Sequence, residues 1–277
     1  MDTSVPTKIY KYRKFDLFSL RILTNGSIYF SDPTHFNDPL DCKPEVFLDI
    51  DRDSLQRLCM AMTERSSQIL YECELSAAYY YADSKEKESY FLSLLTSKIK
   101  DVVQSEFGKR GVLSLAESWS CPLMWSHYGD QHKGVCFGFD TSRAKNLSPK
   151  RVDYDGTRCI KCSDLMNCYI NKNDAAKELL DHTFFFTKAT EWKYEREWRL
   201  LSDRPGEESN PYGLCEIYFG MRCDPAIITT ILNLTEKLDV DYYLISPKQD
   251  TFELIATRFD SELKYSGPQF PDNSLRW

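Results

Sequence analysis

The run WKYEREWRL, Trp192 to Leu200, holds two tryptophans, a tyrosine, two glutamates two residues apart and two arginines. A surface helix rarely carries that much aromatic area, and a plain core strand rarely carries that many charges. If YEREWRL is a strand, its period of two sends Glu195, Glu197 and Arg199 to one face and Arg196, Trp198 and Leu200 to the other. The two carboxylates then stand roughly 7 Å apart. At that spacing one can accept a hydrogen bond from a sugar hydroxyl while the other meets an incoming nucleophile. The plainer reading is a solvated strand face with cross-strand Glu–Arg pairs, each worth little. The sharper one has aromatics turned inward and carboxylates turned to a cleft.

Outward from that run the chain alternates strand and helix signals. KIYKYR, Lys8 to Arg13, sets Tyr10 and Tyr12 on one face and Lys11 and Arg13 on the other. Asp16 can cap a short helix through Phe18, Ile22 and Leu23, which Asn25 and Gly26 stop. SIYFS is a second strand, and it runs into DPTHFNDPLD, where Asp-Pro and Asn-Asp steps are turn chemistry. From about 51 to 107 the pattern reads as helical throughout, with Leu92, Leu95, Ile99, Val102 and Val103 near helical spacing. GVLSL and VCFGFD read as strands on either side of CPLMWSHYGDQHKG, a short helix and turn. A strand over Arg151 to Tyr154 and a helix from Asn173 to about Phe186 follow. The tail reads as strand, helix, strand, strand, with Pro225 near the first turn of its helix. No repeat or Gly/Ser-rich linker divides the chain. The expectation is one α+β domain over 1–277, with a mixed or antiparallel sheet core and a helical insertion, about 51–107, after the first two strands.

Composition narrows the function classes. The 277 residues are 42% hydrophobic and 28% charged, ordinary for a globular protein. A net charge of -7 argues against a chain that coats nucleic acid, although a local basic groove remains compatible. No apolar run is long enough for a membrane span, and MDTSVPTKIYKYRK lacks a secretory apolar core, so the expected compartment is the cytoplasm. The ten cysteines then read as reduced thiols. Cys159, Cys162 and Cys168 cluster, but no second pair at similar spacing completes a zinc knuckle, and no metal is expected. Phosphate-loop, dinucleotide-fold, nucleophile-elbow and zinc-helix motifs are absent. Any chemistry must therefore draw on carboxylates, aromatics, arginine and one of the four histidines.

Three other segments carry candidates. In MWSHYGDQHKG, Met124, Trp125 and Tyr128 pack in the plainer reading; in the functional one Ser126, His127 and Tyr128 line a cleft and the Tyr face stacks on a flat ring. The loop FSDPTHFNDPLDC holds Ser31, Phe36, Asn37, Asp38 and Asp41. It is either an ordered connection or a binding loop whose Asn and Asp satisfy a carboxamide or ribose. Arg13 is either an ion-pair partner or a clamp for pyrophosphate, which its guanidinium fork suits.

On IYKYR (9–13), YFSDPTHFNDPLDC (29–42), MWSHYGDQHKGVCFGFD (124–140) and WKYEREWRL, the chain is identified as a member of the bacterial domain-of-unknown-function family 2971. That family name carries no activity. The order of the motifs also resembles ADP-ribosyltransferases, which place an Arg or His on the first strand, a Ser or Tyr on a middle strand and a Glu, often as E-x-E, on a late one. The resemblance implies Glu197 as catalytic and Glu195 as its substrate-side partner, with Arg13 or Lys11 in the first position and Ser114 or Tyr128 in the middle one. It implies NAD as substrate, bound among Tyr10, Lys11, Tyr12, Arg13, Ser31, Phe36, Asn37, Asp38, Ser114, Trp125, His127 and Tyr128. It further implies an unidentified protein or nucleic-acid acceptor, no membrane partner, and a role as a toxin or phage-defence effector. Two alternatives stand beside it: an interaction module for nucleic acid or protein, and a metal-dependent nuclease using Asp38, Asp41 and Glu197.

Overall fold

A computed structural model describes residues 4–143 and 148–259. The chain begins with β1 (Lys8–Arg13), α1 (Leu17–Asn25), β2 (Ser27–Phe30) and β3 (Glu45–Phe47). Three helices follow, α2 (Arg52–Met62), α3 (Ser66–Tyr80) and α4 (Ser84–Phe107), then β4 (Gly111–Ala116), α5 (Pro122–His127) and β5 (Val135–Asp140). The second half holds β6 (Lys150–Arg151), β7 (Cys159–Lys161), α6 (Cys162–Tyr169), α7 (Asp174–Phe185), β8 (Glu197–Ser202) and β9 (Gly206–Ser209). It closes with β10 (Gly213–Phe219), α8 (Pro225–Leu234), β11 (Asp241–Pro247) and β12 (Leu254–Phe259).

Eight strands make the main sheet in the order β12-β11-β10-β5-β1-β4-β8-β6. Among the described residues only its β10–β11 pair is parallel, joined through α8, so the sheet is mixed and the α+β expectation holds. One face packs on α1 and α8: Ile9, Phe137, Phe139, Ile217 and Phe219 meet Ile22, Leu23, Ile228 and Ile231. Each such side chain contributes roughly 1.5–3 kcal/mol relative to exposure. The other face carries two apolar clusters. One joins Val112 to the α2–α4 and α6–α7 helices, and the other gathers Tyr10, Tyr12, Trp125 and Tyr218.

Local chemistry accounts for the element ends. The Asp16 carboxylate accepts from the Ser19 N–H at the start of α1, and Gly26, at φ 61°, stops that helix in the left-handed conformation. Asn173 caps α7 in the same way through the Ala176 N–H. The helical insertion differs from the sequence expectation in two respects. It is three helices, because the backbone turns extended at Thr63 and again at Tyr81 before the Asp83 cap restarts α4. It also follows three strands, since the short β3 finds a parallel partner in β7, which a local pattern does not reveal. The strand expected over Arg151 to Tyr154 is the two-residue β6 alone.

Candidate cleft at the split in the sheet

β1 is paired along its length with β5, from Lys8↔Asp140 to Arg13↔Val135. Its ladder with β4 contains a single registered pair, Tyr10↔Ala116. Beyond that pair the two strands part. Ser31, just past β2, takes up Val112 of β4 through N–H···O bonds of 2.8 and 2.9 Å, so the far end of β4 keeps a partner. The opening between β1 and β4 is a cleft of about 630 Å³ lined by β1, β4, the 31–41 loop, α5 and the segment from Lys188 to Glu197. Lys11 reaches across the split, its Nζ donating to the Ser114 carbonyl at 2.7 Å.

The floor of the cleft is an ion cluster built on β8. Glu197 and Arg199 share one strand face. Arg199 Nε and Nη2 donate to the two Glu197 oxygens at 2.8 and 2.9 Å, and Nη1 and Nη2 donate to Asp41 at 2.9 and 2.6 Å. Nη1 also donates to the Phe185 carbonyl at 2.7 Å, and the Arg199 side chain is wholly buried. Lys188 joins from the segment before WKYEREWRL, its Nζ 2.5 Å from Glu195, 3.1 Å from Glu197 and 3.6 Å from Asp41. Three buried carboxylates therefore share two buried cations. Unpaired, any of these groups would be costly to desolvate, and pairing with several hydrogen bonds each is what makes such a cluster tenable.

The two glutamates sit differently from a plain strand. Thr190–Glu195 is a 3₁₀ turn, Arg196 is left-handed at φ 44°, and β8 starts at Glu197. The expected Glu195–Glu197 alternation on one strand is thus corrected, yet both carboxylates still converge on Lys188. Neither is solvated: each residue is 4% exposed. Burial raises the Glu197 carboxyl, but Arg199 and Lys188 outweigh it and hold it well below the usual range. Burial also raises Glu195, and the neighbouring Glu197 adds to the rise; Lys188 opposes both and does not cancel them. Glu195 accepts a 2.8 Å hydrogen bond from Tyr128 Oη, whose own ionisation is pushed up by burial and by that carboxylate. Lys11 is lowered to about 7 by burial and by nearby Arg13, with Glu197 and Glu195 pulling the other way.

Most residues singled out in the sequence meet here. Tyr10, Lys11, Tyr12, Arg13, Ser31, Phe36, Asn37, Ser114, His127, Tyr128, Glu195 and Glu197 all line the cleft. Asn37 Nδ2 donates to Tyr128 Oη at 3.4 Å. Arg13 pairs with Asp16 at 3.3 Å and lies over the Phe18 ring at 5.0 Å, so its ion-pair role is realised at the cleft wall. Two expected residues are elsewhere. Trp125 is fully buried, donating from Nε1 to the Trp119 carbonyl and taking the edge of Tyr12 at 5.1 Å, so its ring is unavailable for stacking on a ligand. Asp38 stands outside the lining and accepts from Trp192 Nε1 at 2.8 Å. Asp41 and Glu197 do come together, but around Arg199 and Lys188, with Asp38 apart from them. Sequence reasoning missed Lys188, which lies in the unremarkable TKAT; nothing local marks it.

Fold and site together define an α+β protein with an ion-clustered cleft at a sheet split. Residues 124–200, from within α5 into β8, match the family described as Protein of unknown function (DUF2971). No curated protein and no solved structure matches the chain.

Proposed function

We propose that the cleft binds NAD and that the protein cleaves its nicotinamide–ribose bond, passing ADP-ribose to an acceptor or to water. The observation that carries this reading is the pair of adjacent carboxylates, one held by Arg199 and Lys188 and one shared between Lys188 and Tyr128 at the cleft wall, in a cleft that Lys11 and Arg13 also line. In the reaction the C–N bond breaks and its electron pair leaves with nicotinamide, so positive charge develops on the ribose. Fixed anions beneath that carbon stabilise it, and because they are already oriented they need no reorganisation. The nucleophile then bonds to the ribose carbon and gives up its proton.

On this reading the two glutamates do different work. Glu197 is the fixed anion, its oxygens held by Arg199 and Lys188. Glu195, tethered to Tyr128 at the wall and raised by its surroundings, is the group suited to accept the nucleophile's proton. Arg13, and Lys11 in its protonated form, supply positive charge for the pyrophosphate, and Tyr128 and Phe36 supply aromatic surface for flat rings. The test is nicotinamide release from NAD, followed by chromatography. Wild-type protein should release nicotinamide, and Glu195→Gln should reduce the rate about 100-fold, as loss of a general base does. Absence of release by wild-type protein, with and without cell extract as a source of acceptor, would sink the reading.

A further inference from the structure

The helix α3 has two faces with apolar side chains, and among the described residues only one of them is covered. Ile69, Cys73 and Ala77, four residues apart, are buried against α2 and α4 in the helical core. About half a turn around the helix lie Gln68, Tyr71, Leu75, Ala78 and Tyr79, all exposed. Tyr71 is 67%, Leu75 57% and Tyr79 81% exposed. Residues 68, 71, 75 and 78 follow the three-four spacing of a seam that packs against another helix. Contiguous apolar exposure along one helix face is the kind of surface that a partner covers.

We propose that this seam is the interface of a two-fold symmetric dimer in which α3 packs antiparallel on α3 of a second copy, with Leu75 on the axis. The sequence of the seam favours a copy of itself. Reflected about position 75, Tyr71 meets the partner's Tyr79, and Gln68 faces the end of the opposite helix; the pattern is self-complementary, as an isologous contact requires. The antiparallel sense is set by charge. Parallel helices would bring Glu72 beside its own copy, whereas the antiparallel arrangement sets it opposite Ala78 and opposes the helix dipoles. It also carries exposed Arg65, at the start of α3, to the C-terminal end of the opposite helix, near the partner's Asp83. The area is sufficient for a core. Two tyrosines and a leucine exposed to this degree offer on the order of 400 Å², about half of the roughly 800 Å² per partner in a stable interface. Tyrosine is also among the residue types enriched at the anchors of such contacts.

The experiment is sedimentation of the purified full chain at about 1–100 μM. Wild-type protein is expected to sediment as a dimer in the upper part of that range. Leu75→Glu places two carboxylates on the axis and should shift the dimer dissociation constant at least 100-fold toward monomer, with an unchanged circular dichroism spectrum and melting curve in dilute solution. Tyr71→Ala, which cannot add charge to a core, should weaken the dimer in the same direction. Leu75→Cys should cross-link to its own copy on mild oxidation, and mass spectrometry should identify the disulfide-linked pair of peptides that span position 75 in each copy. A wild-type monomer at 100 μM overturns the proposal. So does a dimer that survives Leu75→Glu, because it must use another surface.

Discussion

At Glu197 a single carboxylate has two tasks, and they make opposite demands on a substitution. Its oxygens are committed to Arg199 and Lys188, so Glu197→Gln leaves a buried guanidinium with one anionic partner, Asp41, in place of two. The expected cost is about 3 kcal/mol of folding stability, toward the low end for a broken buried pair because Asp41 remains. Glu195→Gln should cost less, since its amide oxygen can still accept from Lys188 while the NH2 turns to Tyr128 Oη, Lys188 keeps Glu197 and Asp41 as anionic partners, and the carboxyl it replaces is already disfavoured as an anion. Urea unfolding of the two variants separates anchor from working group; equal losses would show that the roles are not divided. Acid has a related signature. Glu197 is held below its unfolded value, so its stabilisation is complete above that value and is lost as pH falls through the acid range. Glu195 is raised, so its contribution runs the other way, favouring the fold at low pH and fading as pH rises through the same region. Lys11 provides a basic counterpart. Its folded value of about 7 lies below the ordinary 10.5, so the unfolded chain binds the extra proton between those limits and stability should climb as pH rises from 7 to 10. Lys11→Met should melt higher than wild type at pH 7, and the two curves should converge toward pH 10. A wild-type melting temperature flat across that window, with no difference from Lys11→Met, would contradict the assignment.

Among the elements, the turn after α5 explains how Tyr128 is held. Asp130, Gln131 and His132 all have left-handed backbones, at φ 50°, 55° and 66°. Non-glycine residues adopt that region at a cost, and three in a row persist only where the surroundings fix them. Here backbone hydrogen bonds do the fixing, from the His132 N–H to the Trp125 carbonyl at 3.2 Å, from the Gly134 N–H to the Gly129 carbonyl and from the Arg222 N–H to the His132 carbonyl, both at 2.9 Å, and glycines let the neighbouring strands close in. A Cβ on Gly134 would stand 2.2 Å from the Arg13 carbonyl, and one on Gly220 would stand 2.2 Å from the His132 carbonyl. The turn is thus wedged between the ends of β1 and β10, and Gly134 leads into β5 beside the Arg13 end of β1. Gly134→Ala must push the Arg13 end of β1 aside, so a loss at the upper end of the roughly 1–3 kcal/mol seen for overpacking is expected. Weaker NAD binding should accompany it, measured by calorimetry at a temperature where the variant remains folded. A variant as stable as wild type would mean that the strand end has slack. Legibility in the sequence follows the same division between local and distant causes. β1, α1, β5, α7 and α8 were readable because a cap, a stop or a two-residue alternation sits within the element. β3, β7 and β9 were not, since each is short and exists only through a partner more than a hundred residues away. WKYEREWRL was half legible. Trp198 is buried as the strand reading requires, but the left-handed Arg196 moved Glu195 off the strand, and nothing in the local pattern announces that break.

Across the whole molecule, the cleft is assembled from segments that are far apart in the chain and are held by one feature, the parting of β1 from β4. That origin explains why aromatic and acidic residues in four separated motifs could be assigned to one site from sequence while Lys188 and the roles of Arg199 and Trp125 could not. The motifs give residue types, whereas pairing within the floor depends on which faces of β4 and β8 meet α7 and the 31–41 loop. It also sets how a ligand should act on stability. A site built from distant segments exists only in the folded state, so a ligand bound there is bound by the fold and not by the unfolded chain. NAD at 100 times its dissociation constant should therefore stabilise the protein by about 2.7 kcal/mol. For a chain of 277 residues that corresponds to a rise in melting temperature on the order of 5–10 °C. The shift should persist in Glu195→Gln, where the proposed proton acceptor is neutral but the wall of Lys11, Arg13 and Tyr128 is intact, and should shrink when Lys11 and Arg13 are both replaced by Met. Retained binding with lost turnover in Glu195→Gln would locate that residue in the chemical step. A melting curve unmoved by millimolar NAD in wild-type protein would instead remove NAD as the ligand and leave the cleft to a different occupant.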